Sequence, residues 1–291
     1  IKLATEAAAH ASRNYIHNLT SNQALLKLDF NNAFNSLHRD IMLMAVNNYL
    51  PHLRNYVELC YAQPSDLYFG NEIIVSEEGA QQGDPLGSLL FCLAIQPFVV
   101  KLTSEFNVWY IDDGTIGGSQ SDILHDIHII KAEGELISLT LNETKCELIT
   151  SNLDFGHTIR DVLPSVTHVD PRDAIVLGAP VGGGVIIDNV LQCKLKEFWR
   201  LSERLKVLNT HDAFYPLKHC FSLPMLMYTL RSAPCYDSQL ISQFDDSIRS
   251  TLQAILNVSL TDDGWRQAKL PVKLGGLGIL SASDVALPAF L

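Results

Sequence analysis

Hydrophobic and polar positions along the chain predict a mixture of helices and strands. The apolar run from Ala24 to Phe30 has the length of a buried strand and carries an acid, Asp29, near its end. The longer apolar run from Leu86 to Val100 predicts a buried helix that follows a polar, glycine-containing loop. Further helices are predicted over residues 4–19, 37–50, 51–61, 121–138, 189–207, 211–232 and 238–257, with short ones around Trp265 and Ser281, and further strands over residues 67–69, 73–75, 146–150 and 174–177.

The order of these elements predicts an α+β fold. Strands and helices are mixed in the first part of the chain without a regular alternation of single units, which favours a sheet with helices on one face. From Asn189 onward only helices are predicted. The glycine run Gly182–Gly184 lies close to this change, so the sequence predicts one domain over residues 1–188 and a helical domain over residues 189–291.

A turn signal that contains two adjacent carboxylates lies between apolar runs in Trp109–Ile116. Asp-Gly between β-branched and aromatic residues predicts a hairpin with Asp112 and Asp113 at its tip and Gly114 in the turn. For an isolated Asp-Asp-Gly, turn geometry is a sufficient explanation. The other explanation is that two carboxylates held side by side on a rigid turn form half of a divalent-metal site.

A third acid bears on that choice. Asp29 can lie on a strand beside the one that carries Asp112, or it can cap a following helix. Three uncompensated carboxylates repel one another, and a bound cation relieves the repulsion. Mg²⁺ is the natural candidate because it takes hard oxygen ligands and keeps places for water and phosphates. Two such ions can hold the attacking and the leaving oxygen of a nucleotidyl transfer.

Composition excludes several classes of protein. The chain has 291 residues, of which 47% are hydrophobic and 18% are charged, enough to bury a large core. The apolar run Leu86–Val100 is too short for a membrane span and no signal peptide opens the sequence, which favours an intracellular protein without a membrane partner. The six cysteines and ten histidines show no metal-ligand spacing, so buried thiols are predicted. The glycine-rich motifs of common nucleotide-binding folds are absent.

The net charge of −11 argues against a nucleic-acid partner, because binding to a polyanion usually requires positive charge. The distribution of charge along the chain does not argue against it. Residues 1–189 carry 10 Lys and Arg against 23 Asp and Glu, whereas residues 190–275 carry 11 against 8. Lys196, Arg200 and Arg204 recur every four residues and therefore share one helix face. This stripe is either an ordinary solvated face or a surface for a polyanion.

Four motifs in order give the chain a family resemblance. Asp29–Asn35, Gln82–Leu86, Tyr110–Asp113 and Leu141–Cys146 resemble successive palm motifs of reverse transcriptases, with the closest likeness to the non-LTR (LINE-like) retrotransposon type. The resemblance covers roughly residues 20–180. It implies a right-hand polymerase palm, which is an antiparallel sheet with helices on one face, together with a remnant of the fingers over residues 1–188. A helical thumb and connector would follow over residues 189–291. It also implies that most of the fingers segment is missing and that the chain is a core of a longer polyprotein or a decayed copy.

The resemblance implies an RNA-directed DNA polymerase that extends a DNA primer on an RNA template with deoxynucleoside triphosphates. Asp29, Asp112 and Asp113 would then hold two Mg²⁺ ions, for which Mn²⁺ can substitute. Lys145 matches a lysine that protonates the pyrophosphate leaving group. The alternative for Lys145 is an ordinary surface lysine.

Three further residues match the nucleotide site of that family. Phe34 matches the aromatic gate that crowds the sugar 2′-position, and otherwise is a core aromatic residue. Gln82 and Gly83 match the loop that lies against the incoming nucleotide, and otherwise form a turn that leads into a helix. The basic stripe would follow the primer–template backbone. One departure is Gly87-Ser88, where many relatives have Ser-Pro.

Two other functions stay open at this point. The acidic balance of the first part of the chain favours a non-catalytic nucleic-acid-binding or interaction module that descends from such an enzyme. An RNA-directed RNA polymerase shares the palm chemistry, and Phe34 argues against it because a gate at the 2′-position excludes ribonucleotides.

Overall fold

The computed structural model describes residues 3–291, which divide into two compact units. The first, here called the sheet unit, is Asn18–Asp170. The second, here called the helical unit, comprises Ile1–His17, described from Leu3 onward, and Pro171–Leu291. This division differs from the predicted boundary between residues 188 and 189.

The first helix, α1 (Ala4–His17), accounts for part of that difference because it packs with the C-terminal segment. Arg13 Nη2 donates a hydrogen bond of 2.7 Å to the carbonyl oxygen of Pro180. His10 Nε2 lies 2.8 Å from the carbonyl oxygen of Arg231. These partners are more than 160 positions away in sequence, so the local pattern of α1 could not reveal them.

The sheet unit is built on five strands in the order β4-β5-β1-β6-β7. The first four pair antiparallel, as predicted, but β7 runs parallel to β6 and the sheet is therefore mixed. A parallel neighbour needs a crossover connection, which helix α7 provides. Neither α7 nor β7 was predicted. The strands are β1 (Gln23–Leu28), β4 (Phe106–Tyr110), β5 (Asp113–Ser119), β6 (Glu147–Ile149) and β7 (Thr167–Val169), and α7 is Leu153–Arg160.

One face of this sheet carries the main core of the unit. Leu26 pairs with Ile116 on one side and with Leu148 on the other, and all three are fully buried. Ile127 and Phe91 belong to the same core cluster and come from two helices, α6 and α5. The helices are α2 (Ala33–Ser36), α3 (Arg39–Tyr49), α4 (Arg54–Tyr61), α5 (Gly87–Val99) and α6 (Gln120–Leu136), and a separate hairpin is formed by β2 (Ser65–Phe69) and β3 (Glu72–Ser76).

The helical unit has its own core, which includes Phe198, Leu230 and Phe244. Between residues 189 and 291 the regular elements described are all helical, as predicted. The helix predicted over residues 211–232 is interrupted by a π-helical turn, Leu217–Phe221, and begins again with proline in its first turn. The elements are the short strands β8 (Ile175–Val176) and β9 (Ala179–Pro180), and the helices α8 (Gly184–Leu205), α9 (Thr210–Pro216), α10 (Leu223–Ser232), α11 (Gln239–Leu256), α12 (Asp262–Lys269) and α13 (Ala282–Phe290).

Two expectations from composition can be compared with this fold. Across residues 3–291, we find no helix with both the length and the apolar character that a membrane crossing requires. All six cysteines are free thiols, but Cys193 and Cys220 are exposed rather than buried as predicted. Both lie on helices of the helical unit, where apolar sequence neighbours do not decide which face a residue occupies.

Candidate active site at the end of the central strand

The hairpin with the paired carboxylates is tighter than predicted. Tyr110 pairs with Asp113, so the turn consists of Ile111 and Asp112 alone. Ile111 takes the left-handed conformation at φ 60°, which is uncommon for a β-branched residue. Gly114, predicted in the turn, instead lies inside β5. A Cβ atom there would stand 2.7 Å from the indole ring of Trp109, so close packing rather than turn geometry explains this glycine.

Asp29 follows β1 directly, and its backbone is held by a distant segment. Its carbonyl oxygen accepts a 2.8 Å hydrogen bond from the amide of Asn142, and the amide of Asn31 donates one of 2.8 Å to Thr140. This pairing brings the next residues of that segment close to the end of β1. Lys145 Nζ consequently lies 3.8 Å from Asp29 Oδ2.

Asp29 and Asp113 come together because of strand register. Leu28 of β1 pairs with Gly114 of β5, so one further residue along both strands places these two acids opposite each other. Asp113, rather than the expected Asp112, therefore shares a cavity with Asp29. The cavity measures about 420 Å³ and is lined by Lys27, Leu28, Asp29, Asp113, Thr144, Lys145, Glu147 and Thr167.

The electrostatics of this cavity follow from its carboxylates. Burial raises the pKa of the Asp113 carboxyl above its ordinary value, and the negative charges of Asp112 and Asp29 raise it further. Lys27 opposes this shift. Lys27 is itself paired with Glu147 at 2.7 Å, so its charge is shared. Like charges thus converge on one cavity with incomplete compensation.

The donor atoms of the cavity suit a hard cation. Asp29 Oδ2 is buried and accepts no hydrogen bond from the described residues. Carboxylate oxygens are the ligands that Mg²⁺ and Mn²⁺ prefer. Within residues 3–291, however, no group of three or more Asp, Glu, His or Cys side chains is already arranged to hold a metal ion. The chemistry of the acids fits such an ion, whereas the predicted three-carboxylate arrangement is not assembled.

Phe34 and the loop before α5 lie side by side. The Phe34 ring stacks on the Phe91 ring with 4.9 Å between the ring centroids. The backbone carbonyl oxygen of Phe34 accepts a 2.8 Å hydrogen bond from the amide of Ala80. Gly79 permits this approach, because a Cβ atom there would lie 2.4 Å from the Phe34 carbonyl oxygen. Gln82 and Gly83 follow this contact, and both are exposed.

Two residues that hold this loop were not predicted from the sequence. Arg39 is 6% exposed and donates hydrogen bonds to the carbonyl oxygens of Ser76 at 2.9 Å and Gly79 at 3.1 Å. The Tyr61 hydroxyl donates to the Asp84 carboxylate and accepts a 3.2 Å bond from the amide of Gln81. Both residues lie on helices whose sequence pattern gives no sign of a distant loop.

The basic stripe lies in the helical unit, on α8. Lys196, Arg200 and Arg204 are exposed, and none of the ion pairs found in the described part of the chain involves them. The flanking lysines differ, because Lys194 Nζ lies 3.5 Å from Glu197 and Lys206 Nζ lies 2.5 Å from Glu203. The stripe therefore keeps its charge uncompensated.

The fold is similar to that of a telomerase of known structure. A telomerase from Candida albicans, solved with a fragment of telomeric RNA, matches 99% of this chain and 49% of its own, with a TM-score of 0.51 and 11% sequence identity. At that identity the likeness establishes the fold alone.

Residues 2–177 match the family described as "Reverse transcriptase (RNA-dependent DNA polymerase)". The chain belongs to the reverse transcriptase family. A relative is the retrotransposable element SLACS 132 kDa protein of Trypanosoma brucei gambiense, 23% identical over 279 residues, which cover 90% of this chain and 23% of that protein. The predicted resemblance to a reverse transcriptase domain of the non-LTR type is confirmed. The chain spans about a quarter of this relative and half of the telomerase chain.

Proposed function

We propose that this chain is the core of an RNA-directed DNA polymerase, which extends a DNA primer on an RNA template with deoxynucleoside triphosphates. The observation that carries the proposal is the convergence of Asp29 and Asp113 on one cavity, with Lys145 at 3.8 Å from the Asp29 carboxylate. Membership of the reverse transcriptase family supports the same reaction.

The acids supply the ligands for divalent cations. Asp29 and Asp113 offer oxygens to the cavity, and Asp112 adds a neighbouring negative charge from the turn. Two Mg²⁺ ions, when bound, polarise the reacting phosphate and stabilise the attacking and leaving oxygens. Since like charges raise the pKa of Asp113, a cation that binds here also relieves repulsion within the protein.

The reaction forms one bond and breaks one. The primer 3′-hydroxyl gives its proton to solvent water, and its oxygen forms a new bond to the α-phosphorus of the nucleotide. The bond between the α-phosphorus and the bridging oxygen to the β-phosphate breaks. Pyrophosphate leaves with the electron pair of that bond. Lys145, 68% exposed and close to Asp29, is the group that gives a proton to this leaving group.

Selection of the sugar is assigned to Phe34. Its stacking on Phe91 limits the positions that the ring can take, and the hydrogen bond from Ala80 fixes its backbone beside the loop. A ring held in one position can exclude a 2′-hydroxyl by contact. Gln82 and Gly83 follow on that loop and are assigned to the incoming nucleotide and template base.

Binding of the primer–template is assigned to Lys196, Arg200 and Arg204. Their charges are exposed and unpaired within the described part of the chain, and phosphate contacts of this kind give affinity without base specificity. The partners are an RNA template, a DNA primer and deoxynucleotides. We assign no membrane partner.

The proposal is tested by RNA-templated primer extension with the purified protein. The unmodified protein, Asp112→Asn and Asp113→Asn are compared at several Mg²⁺ concentrations. We expect both substitutions to reduce incorporation at least a hundredfold, since each removes negative charge beside the reacting phosphate. Comparison of the two variants shows whether loss of the Asp112 or of the Asp113 charge reduces incorporation more.

Equal incorporation by all three proteins would remove the metal-ligand assignment. Salt-dependent RNA binding with no Mg²⁺-dependent incorporation by the unmodified protein would favour the non-catalytic binding module instead. Incorporation of ribonucleotides alone would indicate an RNA-directed RNA polymerase.

A further inference from the structure

A second cavity lies within the helical unit and has the opposite electrostatic character to the first. It measures about 550 Å³ and is formed by α1, by the segment before α8 and by Pro234, two residues after the end of α10. Four other cavities in the described part of the chain each include at least one Asp or Glu, but the lining of this one contains no carboxylate. The lining residues are His10, Arg13, Asn14, Ile16, His17, Pro171, Arg172, Val181, Gly182, Gly183 and Pro234.

Arg13 is the cation at the centre of this wall. Its guanidinium donates to the carbonyl oxygens of Pro180 and Ser232 and lies 5.7 Å from the centre of the Phe290 ring. No Asp or Glu of the described residues forms an ion pair with it, and its Nε is buried without a hydrogen-bond partner. Burial lowers the pKa of Arg13, because the charged form loses solvation that no carboxylate replaces.

The rest of the wall adds to this character. His10 lies 3.5 Å from the Arg13 guanidinium, and His17 is exposed at the end of α1. Gly182 and Gly183 lead into the 22-residue helix α8, whose first amides have no side-chain cap. The N-terminal end of a helix carries partial positive charge, so it acts in the same direction as the basic side chains. Apolar surface from Ile16 and Val181 completes the cavity.

We propose that this cavity binds a phosphate group, with the phosphate held by Arg13 and His17 and the attached sugar or base lying on the apolar wall. The volume is within the range of sites for small ligands and accommodates a nucleotide unit. Such a phosphate belongs either to a polynucleotide strand or to a free phosphate-containing ligand. The inference is independent of the polymerase proposal, because it concerns binding without a divalent ion.

The test must separate this role from the structural role of Arg13, which joins α1 to β9 and to the end of α10. His17 provides that separation, because no hydrogen bond or ion pair of its side chain is found in the described structure and its replacement leaves the Arg13 contacts in place. His17→Glu puts a negative charge at the cavity. The matched control is His157→Glu, an exposed histidine on α7 in the sheet unit.

The experiment measures equilibrium binding of a labelled single-stranded RNA, in the absence of divalent ions, to the unmodified protein, His17→Glu, Arg13→Gln and His157→Glu. Imidazole signals of His10 and His17 are followed by NMR during separate titrations with the RNA and with inorganic phosphate. We expect His17→Glu to weaken RNA binding about tenfold and to reduce the salt slope by about 0.7, the value for one phosphate contact with a single strand. His157→Glu should stay within twofold.

The outcomes distinguish a strand phosphate from a free phosphate-containing ligand. Signals that move with RNA and a defect in His17→Glu identify a strand phosphate, whereas signals that move with inorganic phosphate alone identify a free phosphate-containing ligand. Arg13→Gln should show the same loss if it folds, and His17→Glu decides the matter if it does not. Signals that respond to neither ligand, or equal binding by His17→Glu and His157→Glu with no response to phosphate, would overturn the inference.

Discussion

Tyr61 connects the loop before α5 to α4 through a single hydroxyl. It donates to Asp84 Oδ2 and accepts from the amide of Gln81. Its loss therefore leaves that amide without its partner, whereas the Asp84 carboxylate keeps only the hydrogen bond from the amide of Leu86. We expect Tyr61→Phe to lower the free energy of unfolding by roughly 1–2 kcal/mol. Urea denaturation at neutral pH measures this change. Tyr68→Phe, at a residue that is 74% exposed on β2, serves as the control and should have no measurable effect.

The same hydroxyl gives a prediction about pH. Burial, followed by the hydrogen bond to Asp84, raises the pKa of Tyr61 from 10.0 to about 12. Because the folded pKa is the higher one, the protonated hydroxyl stabilises the protein fully below pH 10, and this stabilisation is lost as the pH rises towards 12. The stability difference between the unmodified protein and Tyr61→Phe should therefore shrink over this range. A constant difference from pH 8 to pH 12 would contradict this assignment.

Phe34 is the residue on which sugar selection depends in the proposed function. Phe34→Ala removes the ring that stacks on Phe91, so a ribonucleotide 2′-hydroxyl no longer meets it. We expect discrimination against ribonucleotides to fall at least tenfold. Single-nucleotide incorporation with matched deoxy- and ribonucleotides measures this ratio. Phe34→Tyr keeps the bulk and should keep the ratio, whereas unchanged selectivity in Phe34→Ala would refute the gate.

At the scale of single elements, the β4–β5 hairpin depends on close packing at Gly114. Its Cβ would approach the indole of Trp109 to 2.7 Å, and that indole is held by a 2.7 Å hydrogen bond to Asn107. We expect Gly114→Ala to destabilise the protein by roughly 1–3 kcal/mol, as overpacking does. Gly118→Ala on the same strand meets its nearest atom at 3.4 Å and should cost clearly less. Thermal or urea unfolding compares the two, and equal losses would contradict the packing argument.

The exposed face of α8 provides a second prediction for an element. Replacing Lys196, Arg200 and Arg204 together by Gln removes three charges that have no partner in the described structure. If each contacts one phosphate, the salt slope for primer–template binding should fall by roughly two to three. Lys206→Gln is the control, because this lysine is already paired with Glu203 at 2.5 Å. An unchanged slope in the triple variant would show that the stripe is only a solvated face.

Elements with strong local signals were predictable. The apolar runs at residues 67–69 and 73–75 predicted the strands β2 and β3, and the long apolar run predicted α5. Strand β7 was not predicted because only one of its three residues, Val169, is apolar. The position of Gly114 was predicted wrongly. The Asp-Gly signal favours a turn that includes Gly114, whereas the turn that forms consists of Ile111 and Asp112.

At the scale of the whole molecule, the two units divide the charge. The sheet unit carries 7 Lys and Arg against 20 Asp and Glu, a balance of −13, and the helical unit carries 14 against 12, a balance of +2. The sequence predicted a similar contrast between residues 1–189 and residues 190–275. Helix α1 belongs to the helical unit, where Arg13 donates a hydrogen bond to the distant carbonyl oxygen of Pro180. The local sequence of α1 does not predict such a contact.

The candidate site was predictable in its residues but not in its geometry. The order of the motifs predicts that Asp29, Asp113 and Lys145 belong to one site, and all three line the same cavity. The choice between Asp112 and Asp113 depends on strand register, which a sequence with two adjacent acids leaves undetermined. The roles of Arg39 and Tyr61 could not be predicted, because the periodic pattern of a helix does not show which of its side chains form hydrogen bonds to a distant loop.

The active-site assignment is tested most directly by Mg²⁺-dependent incorporation of one deoxynucleotide on an RNA template by the protein, compared with Asp29→Asn and Asp154→Asn. Asp154 lies in the first turn of α7 and does not line the cavity, so its variant should extend the primer normally. We expect Asp29→Asn to abolish incorporation while it still folds and binds the template. Normal incorporation by Asp29→Asn would contradict the assignment of this cavity as the active site.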